Sequence, residues 1–454
     1  MMRSLYAGVA GLKTHQTRMD VIGNNIANVN TTAYKSQSMT FSDLMYQTTQ
    51  AASGANATTG VGGVNARQIG LGAKTGAIKT AITTQGASQT TNDPFDMMIT
   101  GDSFFIVSNG NDNFFTRDGS FYVDGAGNLC MTSNGYNVMG WQVDPTDESA
   151  IKQDTVSALR VMTEKTLTYP SEATTEARIS GIVDKKDTNV NSAEGKIVNL
   201  EFFDDKGYKY TAKLSIHAED VDKAEMGEFF VTLDKIIDSD GKQVGQDGDF
   251  SLDDSASGTG TGVKLLFDPG TGEFLGIKDE GIETIELKVA DADKFPSMKN
   301  ITIDFSATSN LNNNGSSTVT AVRGDDKGLG SGRKVGEMSG ITVQKDGMIY
   351  ATYDNGQSRL LGQIAVATFA NASGLAKEGD NLYSATMNSG EFDGIGVDIT
   401  TGGGYMNTGV LEMSNVDLSS EFTEMITTQR GFQANSRIIT VSDTLLEELT
   451  NLKR

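Results

Sequence analysis

Residues 418–452 read LSSEFTEMITTQRGFQANSRIITVSDTLLEELTNL, and an apolar residue recurs in this stretch at every seventh position. A seven-residue apolar period sustained over this length is typical of an α-helix that forms a coiled-coil seam. The stretch therefore predicts a long helix that needs a partner to cover its apolar side. The repeat, called the C-terminal stripe below, consists of Leu418, Met425, Phe432, Ile439 and Leu446, with Phe422 flanking it.

The first 30 residues of the chain contain a second apolar stripe with the same spacing. Its members, the N-terminal stripe, are Leu5, Leu12, Met19 and Ile26. They predict an amphipathic helix of roughly 25 residues. Since neither helix can bury its stripe alone, we expect the two to pair as a coiled coil and to pack on copies from other chains. The alternative is that both helices lie on one globular domain.

Amide side chains are concentrated directly after the N-terminal stripe. Residues 24–35 read NNIANVNTTAYK, in which Asn24, Asn25, Asn28 and Asn30 precede Tyr34 and Lys35. Amide groups both donate and accept hydrogen bonds, so they can satisfy the free backbone groups at a helix end. Asparagine also tolerates left-handed backbone. The stretch therefore fits the end of the N-terminal helix.

The composition predicts a mainly β, multidomain body between the two helices. The chain has 454 residues and 37% hydrophobic content, enough for two or three domains. It contains 52 glycines and only 5 prolines, which favours short strands joined by tight turns. Asp-Gly and Asn-Gly pairs separate apolar runs within 114–141 and 341–364, as in β-hairpins.

The predicted domains are nested. Two β-rich blocks flank an acidic segment that has alternating strands of its own, such as KIVNLEFF (196–203), so the segment is interpreted as an insertion. The predicted ranges are 1–30 and 411–454 for a terminal helical assembly domain, 31–72 for an extended connecting segment, 73–149 and 331–410 for an inner β domain, and 150–330 for an inserted outer acidic β domain.

The charge distribution restricts the classes of partner. The formal net charge is −22, from 59 acidic and 37 basic residues, which argues against nucleic acid as a partner. Residues 181–300 hold 26 acidic and 14 basic residues, a net of −12, whereas residues 1–90 hold 2 and 7, a net of +5. No apolar run of about 18 residues occurs, so we expect a chain that is not embedded in a membrane.

The sequence contains no recognisable catalytic, cofactor-binding or metal-binding pattern. Its two histidines, His15 and His217, are far apart, and the single cysteine, Cys130, cannot form a disulfide within the chain. The acidic stretch DSDGKQVGQDGD (238–249) has Ile236 at the first ligand position of a calcium-loop register, which favours a solvated hairpin. We expect no catalytic residue, no cofactor and no metal. A secreted carbohydrate-active enzyme whose carboxylate pair lies among the acidic residues is the alternative of a different class.

Several stretches resemble the bacterial flagellar axial family, the rod and hook proteins. MDVIGNNIANVNTTAYK (19–35) and LEMSNVDLSSEFTEMITTQRGFQANSRIITVSDTLLEEL (411–449) are similar to the signatures at the two ends of the family. QIGLG (68–72), FFTRDGSFYVDGAGNLCMTSNGYNVMGW (114–141) and LGQIAVATFANASGL (361–375) resemble the first β domain of its hook members. The inserted domain favours a hook protein over a distal rod protein or a hook–filament junction protein.

The resemblance implies a structural subunit and not an enzyme. Family members polymerise with copies of themselves, and their terminal helices form the inner tube while the amide-rich motif leads to the connector. The implied partners are the distal rod protein, the hook cap protein, the hook–filament junction protein and the flagellar type III export apparatus. The implied location is the extracellular hook, reached without a cleaved signal peptide.

One position departs from the family pattern. Where the family usually has glycine before the aromatic–lysine pair, this chain has Ala33. Alanine in a left-handed conformation costs roughly 1–2 kcal/mol. Either the turn is not left-handed in this chain, or packing offsets the strain.

Overall fold

The computed structural model of the chain describes residues 2–54, 60, 62–147, 149–218, 224–246, 248–252, 262–278, 281–290 and 293–452. It has two compact units. Unit 1 comprises Met1–Thr163, Ile341–Ala351 and Arg359–Arg454, and unit 2 comprises Glu164–Gly340 and Thr352–Ser358.

Helices lie at both ends of the chain. The α-helices are α1 (Met2–Ala27), α2 (Glu164–Leu167) and α3 (Leu418–Asn451), and short 3-10 helices span Ala372–Gly374 and Ile399–Gly402. The side chain of Asp417 caps α3 by accepting a hydrogen bond from the Ser419 N–H at 2.9 Å. Because of this cap, α3 begins at Leu418, and residues 411–417 of the predicted terminal helical domain precede the helix.

Strands make up most of the remaining structure. The first twelve are β1 (Gln37–Asp43), β2 (Tyr46–Gln50), β3 (Arg67–Gly70), β4 (Ala73–Thr80), β5 (Ser88–Thr90), β6 (Met97–Thr100), β7 (Phe104–Ser108), β8 (Asn113–Thr116), β9 (Phe121–Val123), β10 (Leu129–Met131), β11 (Asn137–Gln142) and β12 (Ser157–Ala158). The next eleven are β13 (Thr168–Tyr169), β14 (Glu176–Ile182), β15 (Lys196–Phe203), β16 (Lys209–His217), β17 (Glu228–Asp238), β18 (Phe250–Leu252), β19 (Val263–Phe267), β20 (Phe274–Ile277), β21 (Thr284–Val289), β22 (Ile301–Ser309) and β23 (Thr320–Arg323). The last eight are β24 (Gly336–Val343), β25 (Met348–Tyr353), β26 (Ser358–Ile364), β27 (Val366–Ala367), β28 (Ala376–Gly379), β29 (Leu382–Ser384), β30 (Tyr405–Thr408) and β31 (Val410–Glu412). The prediction of a mainly β chain with a helix at each end is confirmed.

In unit 1, a two-stranded ribbon follows α1. Strand β1 pairs with β4 and β2 pairs with β3, both antiparallel. The ribbon packs against α1, since the Phe41 ring lies 5.4 Å from the His15 ring, edge to face. The predicted connecting segment 31–72 therefore contains three strands that are paired within the chain.

The main sheet of unit 1 is built around β11. Strand β11 pairs with β7 and β26, and β8, β29 and β28 continue the sheet beyond β7. Asp-Gly and Asn-Gly turns join its hairpins, as the sequence predicted: the Asp124 carboxylate accepts the Ala126 and Asn128 N–H groups in the turn between β9 and β10. The core below the sheet includes Phe104, Ile106, Phe115, Trp141 and Tyr383, all buried.

Unit 2 contains two five-stranded sheets with a shared core. Their strand orders are β18-β21-β22-β14-β23 and β15-β16-β17-β19-β20. In β15, alternate side chains are buried, among them Val198, Leu200 and Phe202, as period-two alternation in KIVNLEFF predicts. The stretch 238–249 begins with a tight turn in which the Asp238 carboxylate accepts the Asp240 and Lys242 N–H groups.

The structure bears on three further points: metal binding, membrane-spanning helices and the single cysteine. Within the part of the chain that the structure describes, no three His, Cys, Asp or Glu side chains are grouped to hold a metal ion. None of the described helices has the length and apolar content needed to span a membrane. Cys130 is buried in β10, where its Sγ lies 3.2 Å from Asn137 Oδ1 and burial raises the pKa of its thiol.

Candidate functional site: the paired terminal helices and their junction

Helices α1 and α3 lie side by side in unit 1. Glycines lie where the two helices touch: a Cβ added at Gly8 would lie 3.3 Å from Ile439 Cγ1, and one added at Gly11 would lie 2.8 Å from Asn435 Nδ2. A Cβ added at Gly431 of α3 would lie 2.7 Å from Cε1 of His15. Small residues allow helix backbones to pack this closely, so each helix uses glycine to admit a side chain of the other.

Polar contacts show that the two helices are antiparallel. Arg18 Nη2 of α1 lies 3.0 Å from Glu424 Oε2 of α3, in an ion pair that is partly exposed on both sides. Further along α1, the Asn25 amide donates to Glu421 Oε1 at 2.9 Å. Contacts therefore move toward the start of α3 as they move toward the end of α1. An exposed ion pair of this kind contributes about 0–1 kcal/mol to stability.

Pairing within one chain covers the apolar stripes only in part. All four members of the N-terminal stripe are half-buried, and so are Met425, Phe432, Ile439 and Leu446 of the C-terminal stripe. Leu418 is 38% exposed and the flanking Phe422 is 50% exposed. The fully buried positions of α3 are instead the small residues Thr428 and Ser442.

A second group of large apolar side chains on α3 points to solvent. A soluble helix that packed only on its own chain would carry polar residues on that face. The exposed group comprises Ile426, Ile438, Val441, Leu445 and Leu449 of α3, together with Leu452 directly after it.

Asn25 uses its whole hydrogen-bonding capacity at the junction of the helices. It is fully buried, its Nδ2 donates to Gln37 O at 2.7 Å and to Glu421, and its Oδ1 accepts from Gln37 N–H at 2.9 Å and from the Tyr34 hydroxyl at 3.3 Å. One amide thereby connects α1, the following turn, β1 and α3. Partial burial raises the pKa of Glu421 above its usual range, and the Asn25 hydrogen bond counteracts that rise.

The other asparagines of the motif serve the helix end locally. Asn28 Nδ2 donates to the Asn24 carbonyl at 2.9 Å, which also accepts the Asn28 backbone N–H at 3.2 Å, and to Asn24 Oδ1 at 3.1 Å. Asn24 Nδ2 in turn donates to the Tyr34 hydroxyl at 3.0 Å. Asn30 is exposed. The motif thus combines one residue that joins elements, Asn25, with two that close the end of α1.

Ala33 adopts the left-handed conformation. Its φ is 56°, and the residue is 1% exposed. Its N–H donates to Glu412 O at 2.7 Å, so the turn is held against the strand that precedes α3. Of the two possibilities raised by the sequence, packing and this hydrogen bond offset the strain.

Lys35 is buried beside a carboxylate that the sequence analysis did not single out. Lys35 Nζ lies 2.7 Å from Glu412 Oε1 and donates to Thr84 O at 2.8 Å, and the two side chains are 1% and 0% exposed. Burial lowers the pKa of Lys35, and the neighbouring Glu412 carboxylate opposes that change. Arg117 Nη1 is 4.0 Å from the other oxygen of Glu412.

Sequence reasoning missed Glu412, Asn415 and Arg117. Asn415 Oδ1 accepts the Ser36 N–H at 2.7 Å, and its Nδ2 donates to Ala81 O at 2.9 Å. The available signal was positional, because Lys35 and Glu412 stand a few residues outside the two helices. Glu412 also lies within the apolar run VLEM (410–413), and a carboxylate buried there needs a charged or hydrogen-bonding partner.

Three family models match the chain, at positions that include the residues described above. The description "Flagella basal body rod protein" matches residues 5–35, "Flagellar hook protein FlgE/F/G D1 domain" matches residues 98–180, and "Flagellar basal body rod FlgEFG protein C-terminal" matches residues 407–452. The first of these contains most of α1 and its amide motif, and the last contains α3 and Glu412.

Curated relatives extend over the whole chain. "Flagellar hook protein FlgE" of Borreliella burgdorferi is 34% identical over 100% of both chains, and that of Treponema pallidum is 33% identical over 100% of both chains. "Flagellar basal-body rod protein FlgG" of Bacillus subtilis is 29% identical, again over 100% of both chains. Because hook proteins match it from end to end at this level, the chain belongs to the family of bacterial flagellar hook proteins, which are structural proteins and not enzymes.

Proposed function

We propose that this chain is the structural subunit of a bacterial flagellar hook, which self-assembles into a curved, flexible tube and transmits torque from the rod to the filament. The observation that carries the proposal is the pair of antiparallel terminal helices, whose N-terminal and C-terminal stripes remain half-buried or exposed in the single chain. The relatives named as hook proteins support the same conclusion.

The energetics of the helix pair favour assembly. Complete burial of a large apolar side chain contributes about 1.5–3 kcal/mol relative to leaving it exposed. Side chains such as Ile426 at 53% exposure and Val441 at 57% exposure have much of that contribution still to gain. Only surfaces outside the pair can supply it, and copies of the same chain present matching helices. We therefore propose that α1 and α3 form the inner layer of the tube, as coiled-coil elements between copies.

The nested domains then have separate roles. We infer that the terminal helices carry assembly, that the β part of unit 1 is the inner β domain, and that unit 2 is the inserted acidic domain. The acidic stretch 181–300, with its net charge of −12, is costly to stack without solvent or counterions. Unit 2 is therefore proposed to stay in contact with solvent in the polymer.

A hook subunit lies between the rod and the filament, and this position suggests its remaining protein partners. We propose contacts with the distal rod protein, the hook cap protein and the hook–filament junction protein. Export through the flagellar type III apparatus, without a cleaved signal peptide, would deliver the chain to the extracellular hook. The rod-protein relative, which aligns over 100% of both chains, supports rod association.

Electron microscopy of the purified chain after incubation under polymerising conditions tests the proposal. We expect hollow, curved tubes. Straight, rigid tubes would favour the second candidate, a distal rod protein. The similarity to the rod protein of Bacillus subtilis is the observation that supports this candidate. Discrete particles at every condition tried, with the chain folded, would contradict both.

A further inference from the structure

A buried ionic cluster lies where the segment after α1 meets the strand before α3. Lys35 and Glu412, 377 positions apart in the sequence, form its centre. Glu412 Oε1 also accepts the Gly86 N–H at 2.8 Å, and Lys35 also donates to the Thr84 carbonyl. Three distant segments of the chain therefore converge on two side chains.

A second cation completes the cluster. Arg117 is 1% exposed, its guanidinium lies 4.9 Å from the centre of the Phe104 ring, and its Nη2 donates to Gly101 O. Among the residues that the structure describes, Arg117 Nε and Glu412 Oε2 have no hydrogen-bond partner. Glu412 is thus the carboxylate that Lys35 and Arg117 share. Asp102, which is exposed, also interacts electrostatically with both cations.

Backbone contacts surround the cluster on both sides. The Ala33 N–H donates to Glu412 O, and the Asn415 N–H donates to Tyr34 O at 3.3 Å. Ser36 N–H reaches the Asn415 side chain at 2.7 Å. Residues 33–36 are therefore bound to residues 412–415 on both sides of the ion pair.

A buried ion pair is a weak source of stability, because removing two charges from water offsets most of their attraction. Its effect on specificity is larger. If the segment of Glu412 is displaced, Lys35 and Arg117 lose the buried carboxylate between them. If the segment of Lys35 is displaced, Glu412 loses its partner at 2.7 Å and keeps only Arg117 at 4.0 Å. Pairs of apolar residues would tolerate a shift in register, whereas Lys35 and Glu412 have one arrangement in which each charge is compensated.

We propose that the Lys35–Glu412 pair, together with Arg117, is a registration latch. It orders residues 31–36, which follow α1, and residues 410–416, which precede α3, only when both segments are in place. The latch makes the order of residues 31–36 depend on residues 410–416, and the reverse. It sets the alignment of the two helices before they meet other copies. The inference rests on the proposed function only for its use in assembly, since the latch itself is a property of the single chain.

Hydrogen exchange on the full-length, unpolymerised chain tests the latch through a double-mutant cycle. The variants are Lys35→Met, Glu412→Gln and the combination of both. Each single variant should speed amide exchange in both segments, 31–36 and 410–416, by about a hundredfold or more, the scale expected when one partner of a buried pair is removed. The combined variant should exchange at least about tenfold more slowly than the product of the two single effects predicts.

Two controls keep the experiment decisive. The exposed pair Lys152–Asp154, with side chains 60% and 53% exposed, provides a matched variant, Lys152→Met with Asp154→Asn, that should leave both segments unchanged. Amides of β7 serve as a folding reference, and Lys35→Arg is the milder substitute if Lys35→Met loses protection in β7. The latch is refuted if Lys35→Met loosens only residues 31–36, or if the single effects simply multiply.

The outcome is separable from that of the proposed function. If each single variant loosens both segments but the wild-type chain never forms tubes, the latch is supported and the hook function is contradicted. Tubes together with independent behaviour of the two segments would do the opposite.

Discussion

The His15 ring occupies the space in which a side chain at Gly431 would begin. A Cβ built at Gly431 would lie 2.7 Å from His15 Cε1 and 2.8 Å from Nε2. Real Cβ atoms do not approach a ring this closely, so the two helices reach their present separation only because one of these residues is glycine. This relationship leads to the first two predictions.

Gly431→Ala should weaken the pairing of α1 and α3 despite the higher helix propensity of alanine. Alanine improves an exposed helical position by about 1 kcal/mol, but here the methyl group would displace the His15 ring or separate the helices. Overpacking of this kind typically costs about 1–3 kcal/mol. The measurement is the free energy of unfolding of the helix pair, followed by hydrogen exchange of α1. Gly23→Ala in α1, where an added Cβ meets nothing within 4 Å, is the matched control and should stabilise.

Acidification should weaken the same contact through His15. Burial lowers the pKa of His15 below 6.5, and the nearby Arg18 lowers it further. A depressed pKa in the folded state means that the unfolded chain binds more protons between the two pKa values. The stability associated with neutral His15 is therefore fully present above pH 6.5 and is lost as pH falls through the pKa that His15 has in the folded state.

The pH dependence can be assigned by substitution. Glu421 titrates in the opposite sense, because its raised pKa gives a contribution that is present below pH 4.5 and lost as pH rises. Only the difference between wild type and His15→Asn isolates the histidine. The protection factors of α1 amides, which correct for the pH dependence of intrinsic exchange, should fall less in the variant than in wild type between pH 7 and 5, and equal slopes would exclude His15.

Asn25→Ala should destabilise the junction more than any other alanine substitution in the amide motif. The change leaves Gln37 N–H, Gln37 O and Glu421 without their shared partner inside the protein. Unsatisfied buried polar groups cost about 1–3 kcal/mol. Thermal unfolding should show the loss, and Asn30→Ala, at an exposed position, should stay within about 0.5 kcal/mol of wild type. Similar values for the two variants would mean that water replaces the amide without cost.

Phe432→Asp should abolish tube formation while leaving the β strands folded. Phe432 is a half-buried member of the C-terminal stripe, and an ionised carboxylate there would cost several kcal/mol if it stayed covered in the polymer. The matched control is Gln433→Asp, which adds the same charge at the next, exposed position. Electron microscopy reports assembly and calorimetry reports the β units. Tubes from Phe432→Asp, or loss of cooperative melting in the β units, would contradict the proposed division of roles.

Replacing Glu164–Gly340 by a short Gly/Ser linker should leave a chain that still polymerises. Unit 2 has its own core and a strongly acidic stretch, so the terminal helices should not depend on it for assembly. We expect tubes whose curvature differs from wild type. Failure to assemble, with α1 and α3 still protected against proteolysis, would show that unit 2 contributes directly to subunit contacts.

Much of the fold was predictable because its signals are local. The seven-residue spacing of the N-terminal and C-terminal stripes predicted two helices, and the structure has them at Met2–Ala27 and Leu418–Asn451. The alternation in KIVNLEFF predicted β15, and the Asp-Gly and Asn-Gly pairs predicted hairpin turns. Each of these patterns reflects backbone geometry within a few residues, so it can be read without knowing any contact.

Contacts between distant residues were decided by the tertiary structure. The sequence marked Asn25 and Lys35 as members of a motif, but it did not show that Glu421 and Glu412, among 59 acidic residues, would be their partners. The left-handed turn at Ala33 could not be read from the sequence either, since alanine has no preference for it. Its conformation is set by a hydrogen bond to a residue that is 379 positions away in the chain. Periodicity and turn chemistry are properties of neighbouring residues, whereas burial of charge and compensation of strain depend on which segments the folded chain brings together.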